Sequence, residues 1–112
     1  MSTAIADSPI PAALLSELVD QARPEKVVLF GSRARGTADA DSDIDLFIQV
    51  DTGTDTAALT RKLYGLLRRS PNRPPLGIDL VVKDRAFVEA YGDLVGTVVR
   101  SVLREGLVLY AR

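Results

Sequence analysis

The 112-residue sequence has no cysteine, no histidine and no tryptophan, and only three tyrosines and three phenylalanines. Without cysteine, disulfides and thiolate metal sites are excluded, and a cytoplasmic location is the natural expectation. The lack of histidine narrows the chemistry further. A Ser-His-Asp or Cys-His nucleophile is ruled out, as is histidine-ligated zinc. Any catalysis must use carboxylates, hydroxyls, lysine or arginine, and the metal ligands on offer are hard oxygens that suit Mg²⁺ or Mn²⁺. The scarcity of aromatics leaves few platforms for stacking bases, which argues against nucleic acid as a direct substrate. No apolar run is long enough to cross a membrane, and the opening MSTAIADSPIP lacks the basic start and apolar centre of a signal peptide.

What is present fits one soluble domain over residues 1–112, with a core expected from about 26 to 110. Hydrophobic residues make up 46% of the chain and charged residues 26%, as in ordinary folded proteins. The net charge of −1 conceals a division. Residues 1–60 hold four basic and ten acidic side chains, whereas residues 61–112 hold ten basic and five acidic, so −6 and +5 sum to −1. The basic half includes Arg61, Lys62, Arg68, Arg69 and Arg73, which form either a solvated helix face or a contact for phosphate or an acidic partner.

Leu14, Leu15, Leu18, Val19 and Ala22 recur at helical spacing between Pro11 and Pro24. Lys26–Phe30 (KVVLF) reads as a buried strand that Gly31 breaks. From Asp43 to Val50 the residues alternate, with Ile44, Leu46, Ile48 and Val50 on one face and Asp43, Asp45, Phe47 and Gln49 on the other. Thr54 or Asp55 can cap a second helix carrying Leu59, Leu63, Leu66 and Leu67. After a proline-rich loop, Ile78–Val82 is a third strand. Asp84 caps a short helix through Tyr91, and a further helix carries the stripe Val95, Val98, Val99, Val102 and Leu103. Gly106 ends that helix and Leu107–Tyr110 closes the chain as a strand. The expected fold class is α/β (α+β): a small mixed sheet of about four strands flanked by helices.

The densest chemistry lies in GSRARGTADADSDIDL, Gly31 to Leu46. The alternating Asp39, Asp41, Asp43 and Asp45 resemble a calcium loop, but its sixth position is Ile44 and its twelfth Val50. Gly31 and Gly36 have P-loop spacing, yet Thr37 and Ala38 stand where lysine and a hydroxyl residue are required. A nucleotidyl-transfer site accounts for more of the stretch. Asp43 and Asp45, two apart on a strand, project side by side and tolerate their repulsion best around a divalent cation. Asp79, expected to be buried in an apolar strand, would need the same partner and would complete the site if the two strands are neighbours. Three such carboxylates suit two Mg²⁺ ions acting on a displacement at phosphorus. Gly31 lets backbone approach a ligand and Ser32 offers an N–H and a hydroxyl, a cradle for the triphosphate of an NTP. Arg33 and Arg35 either neutralise the acids or touch phosphate, and Arg35 is assigned to the nucleotide. Asp39 and Asp41 are expected to be exposed loop acids.

Gly31-Ser32, Ala34-Arg35-Gly36, Ser42-Asp43-Ile44-Asp45-Leu46 and the later Asp79 together resemble the signature of the minimal nucleotidyltransferases of the DNA polymerase beta-like superfamily. The resemblance extends from about Lys26 to Tyr110 and includes the closing REGLVLY. It implies a polymerase-beta-like nucleotidyltransferase fold, with metals on Asp43 and Asp45. Asp79 would complete the site and help activate the acceptor hydroxyl, and Gly31 and Ser32 would hold the triphosphate. Many minimal members are paired with a HEPN-domain ribonuclease toxin, and in characterised pairs the nucleotidyltransferase is the antitoxin that moves AMP from ATP to a tyrosine of that toxin. The resemblance therefore implies ATP as substrate, Mg²⁺ as cofactor and a HEPN-domain partner. Two alternatives stand beside it: a catalytically silent module that neutralises its partner sterically, and a nucleic-acid modifier using the basic stretch Arg61–Arg73.

Overall fold

The computed structural model describes residues 9–94 and 96–112. Most of the opening segment considered for a signal peptide, and Val95 of the last helical stripe, lie outside the described residues. The elements run α1 (Ala12–Ala22), β1 (Lys26–Phe30), α2 (Ser32–Arg35), β2 (Ile44–Val50), α3 (Thr56–Arg69), β3 (Ile78–Asp84), α4 (Arg85–Tyr91), α5 (Val98–Glu105) and β4 (Leu107–Ala111). The four strands form one mixed sheet in the order β3-β2-β1-β4. β1 pairs antiparallel with both β2 and β4, and β2 pairs parallel with β3. The parallel pair needs a crossover, which α3 supplies.

Helix ends follow local chemistry. Pro11 precedes α1, where its missing N–H costs nothing. Asp55, not Thr54, caps α3 by accepting from the Ala58 N–H at 3.0 Å. Asp84 caps α4 through the Phe87 N–H at 2.9 Å, and Thr97 caps α5 through the Arg100 N–H at 3.2 Å. Gly106 ends α5 for a packing reason and not through a left-handed turn. A Cβ there would lie 2.4 Å from Val28 Cγ1 and 2.5 Å from the Val102 carbonyl oxygen.

The sheet is covered on both faces. On one, α1 and α3 bury Leu14, Leu15, Leu18, Leu63 and Leu67 against Val27, Leu29, Ile44, Leu46, Ile48, Val50, Leu80 and Leu109. On the other, Val99 and Val102 of α5 bury Val28 and Phe47, with Phe30, Val81, Phe87 and Val88 at the margin. The mixed alternation in β2 is thus a doubly covered strand, and even Gln49 is only 7% exposed. The stripe expected on α5 is narrower than its spacing suggests. Val99 and Val102 are buried, whereas Val98 and Leu103 are exposed.

β3 is an edge strand, and its Leu80 N–H donates to the Tyr64 hydroxyl of α3 at 2.8 Å. That bond satisfies a backbone donor at a residue only 8% exposed. Tyr64→Phe should therefore lower unfolding stability by about 1–2 kcal/mol, as for a buried donor left without a partner. The check is the urea midpoint at unchanged slope; a midpoint equal to that of the wild type would show that the bond contributes nothing.

Candidate active site

The three aspartates named from the sequence come to the same end of the sheet, where β1 ends and where β2 and β3 begin. β1 stops at Gly31, whose φ of 75° lies in the region that glycine alone adopts readily. Space gives a second reason for glycine. A Cβ on Gly31 would stand 2.3 Å from Asp45 Oδ2. The chain then makes the single turn α2, which begins at Ser32 and ends at Gly36 in the left-handed conformation (φ 77°). One turn of helix carries little macrodipole, so any hold on an anion here rests on Ser32 and nearby backbone N–H groups.

The loop leading into β2 is braced internally. Arg33 donates to the Ser42 carbonyl from Nε at 3.1 Å and Nη2 at 2.8 Å. Asp39 Oδ1 accepts from the Asp41 N–H at 3.0 Å and from Ser42 Oγ at 3.2 Å. Asp39 and Asp41 are exposed as expected, but Asp39 also shapes the turn that delivers Asp43. Arg33 acts as that loop's brace. Arg35 is exposed, with Nη1 3.7 Å from Glu105 Oε2, and its charge favours ionised Asp45.

The strand register assembles the acids. Asp45 and Asp79 are direct partners across the parallel β2–β3 pair, so their side chains rise on the same face. That face also carries Phe47 and the α5 packing. Asp79 is exposed, contrary to the burial expected from its apolar surroundings in sequence, because it is the second residue of an edge strand. Asp43 is also exposed, and Asp45 is half-buried. Gly77, which closes the proline-rich loop before β3, also stands at the site. Its carbonyl accepts from the Ile44 N–H at 2.8 Å, and a Cβ on it would lie 2.5 Å from Asp43 Oδ1. The signal was a glycine directly before the strand that bears the third acid.

Burial pushes the Asp45 carboxyl above the ordinary carboxylate range, and the charges of Asp79 and Asp43 push it further; Arg35 opposes them. The smaller, like-charge part of that shift is what neighbouring carboxylates produce. The Nucleotidyltransferase domain family model matches residues 12–86, which include every one of these groups. The chain belongs to this nucleotidyltransferase family. Among solved structures, a candidate nucleotidyltransferase from Sulfolobus solfataricus is similar over 89% of this chain and 79% of its own, at 20% identity and a TM-score of 0.56. A toxin–antitoxin structure determined with AMP-PNP is similar over 89% of this chain and 73% of its own, at 23% identity and a TM-score of 0.51. Both likenesses concern the fold. No curated protein matches the sequence.

Nucleotidyltransferases of this kind generally use an NTP and a divalent metal. Among the described residues, no three acidic groups already stand close enough to form a metal-holding cluster. The donor set nevertheless fits a hard cation: all three groups are carboxylates, two stand against bare glycines, and Asp45 bears like charge that Arg35 only partly offsets.

Two outcomes follow for this nucleotidyltransferase. Gly31→Ala should displace Asp45 and strain the turn, lowering transfer at least about tenfold, while Gly36→Ala, with open space around its Cβ, should disturb the acids less; parallel assays of the two variants check this. The raised pKa of Asp45 also sets a sign. Its protonation stabilises the fold fully below the unfolded value near 3.9, and that contribution is lost as pH rises through the folded value. Asp45→Asn should therefore melt higher than the wild type at pH 7 without metal, with the gap closing as pH falls below about 4. A lower melting temperature at pH 7 would contradict the repulsion.

Proposed function

We propose that this chain transfers a nucleoside monophosphate, AMP from ATP, to a hydroxyl of a separate acceptor protein and releases pyrophosphate. The observation that carries the reading is the register of Asp79 against Asp45, with Asp43 alongside and Gly31 leaving no side chain between backbone and carboxylate. Asp43, Asp45 and Asp79 would hold Mg²⁺ or Mn²⁺, which when bound supplies charge neutralisation at the phosphates and at the attacking oxygen. Ser32 and the backbone after Gly31 would hold the β- and γ-phosphates, and Arg35 reaches the same region. Asp79, the most open of the three in the sense that it lies on the edge strand, would receive the acceptor hydroxyl's proton. The acceptor oxygen then bonds to the α-phosphorus as the bond to the bridging oxygen breaks, and pyrophosphate leaves with that electron pair.

The acceptor we propose is a HEPN-domain ribonuclease toxin, with this chain as its antitoxin. The motif resemblance supports that choice, and the fold it shares with a toxin–antitoxin structure is in keeping with it. A steric antitoxin with an idle site is the second reading, and the retained like-charge crowding at Asp45 speaks against it.

The test incubates the purified protein with Mg²⁺, α-labelled ATP and a lysate from its source, beside Asp43→Asn/Asp45→Asn. Label on one protein band, absent from the control and abolished by EDTA, is the expected result. Asp45→Asn alone should lose transfer by several orders of magnitude while remaining folded. No label with any NTP, together with equal capture of one lysate protein by both versions, would favour the steric reading.

A further inference from the structure

The basic residues of the second half were noted in sequence only as a run, and α3 arranges them. At 100° per residue, Arg61, Lys62, Arg68 and Arg69 fall within about 120° of one face of the helix. Gly65 lies inside that sector, and Arg73 follows in the next loop. All five cations are exposed, and none forms an ion pair with a described residue. α3 contains no acidic residue at all. Gly65 in mid-helix costs about 1 kcal/mol relative to alanine. Its bare backbone lets Arg69 lie back across the helix, with Nη1 3.1 Å from where a Cβ would stand. The result is an unbroken stripe about 12 Å long from Arg61 to Arg69.

A cleft of about 290 Å³ borders this stripe between α1 and α3, lined by Glu17, Gln21, Lys62, Leu66, Arg69 and Ser70, among others. Its one carboxylate, Glu17, is turned onto Ser70 Oγ at 2.6 Å and Asn72 Nδ2 at 3.0 Å. It is therefore committed to the loop and not to the cations.

We infer that the α3 stripe Arg61–Lys62–Arg68–Arg69, extended by Arg73, is a docking face for the phosphate backbone of duplex nucleic acid. Three observations favour that polyanion over an acidic protein. Among the described residues, the large apolar side chains that stand exposed lie between Tyr91 and Val108, so the stripe lacks the apolar centre that protein interfaces use. Four of the five cations are arginine, suited to bidentate phosphate contacts. No aromatic stands on the stripe, since the Tyr64 hydroxyl is held by β3, so recognition falls on the backbone and not on unstacked bases. The stripe faces away from the sheet on the side opposite Asp45 and Asp79, so the bound duplex is not the substrate of that site. The inference does not depend on the transfer reading.

The experiment measures fluorescence anisotropy of a labelled 20-base-pair RNA duplex with the full chain across 25–300 mM NaCl. Binding at 25 mM, with log K falling against log salt at a slope of about −4.5, is expected for five phosphate contacts. Arg61→Gln/Arg68→Gln/Arg69→Gln keeps good helix formers and should remain folded by circular dichroism. It should flatten the slope by about three and weaken low-salt binding at least about tenfold. Arg100→Gln/Arg104→Gln on α5 should change neither. Three results would overturn the proposal: no binding at 25 mM, equal loss from the α5 variant, or polyglutamate of matched charge binding as tightly as the duplex. The last would assign the face to an acidic protein.

Discussion

The side-by-side placement of Asp45 and Asp79 is the constraint on which this small structure turns. Two carboxylates facing each other across a parallel strand pair are unfavourable, and Asp43 adds a third charge. The fold nevertheless fixes the arrangement through features with little freedom. A parallel register requires the α3 crossover, and shifting it by one residue would send Asp79 to the opposite face. Gly31 and Gly77 then clear the space that the carboxylates of Asp45 and Asp43 occupy. Stability is thus given up locally, and either protonation of Asp45 or nearby positive charge relaxes the crowding.

The double covering of β2 explains how so short a chain can hold that strain. Ile44, Leu46, Ile48 and Val50 anchor the strand to α1 and α3 on one side. Phe47, 1% exposed, anchors it to α5 on the other, two residues from Asp45. A strand fixed from both faces cannot rotate to relieve its terminal charges, so the carboxylates stay where packing puts them. Asp45 is also half-buried, since it sits two residues from Phe47 with the bare backbone of Gly31 against its carboxylate, whereas Asp43 and Asp79 are exposed.

Much of this was legible in the sequence wherever a local pattern had a local cause. Helical spacing located α1 and α3, the glycine break located the end of β1, and the strand alternation placed Asp43 and Asp45 on one side. What was not legible depended on partners distant in sequence. Asp79 looked buried because its neighbours in the chain are apolar, and its exposure follows from β3 being an edge strand, which periodicity does not reveal. Gly77 matters through Asp43, thirty-four residues earlier, and Gly106 through Val28, so neither role can be inferred from the turn each occupies. Arg33 carries the same charge as Arg35 in the motif, yet three-dimensional placement commits it to backbone carbonyls.

Two charged groups stand on opposite sides of the fold. Asp45 and Asp79 lie on the α5 face of the sheet with Asp43 close by, while the α3 arginines point outward from the other side. Between the two groups lie the sheet and a helix about 10 Å in diameter. At physiological ionic strength the field of an exposed charge decays over about 8 Å. The stripe therefore contributes little to drawing a triphosphate toward the aspartates. On the proposed reading, that task would fall to groups at the site itself, Arg35 and any cation the carboxylates would hold. The two charged regions are electrostatically close to independent. On the two proposals, a polyanion on α3 and a nucleotide at the sheet's end would not compete for the same charges.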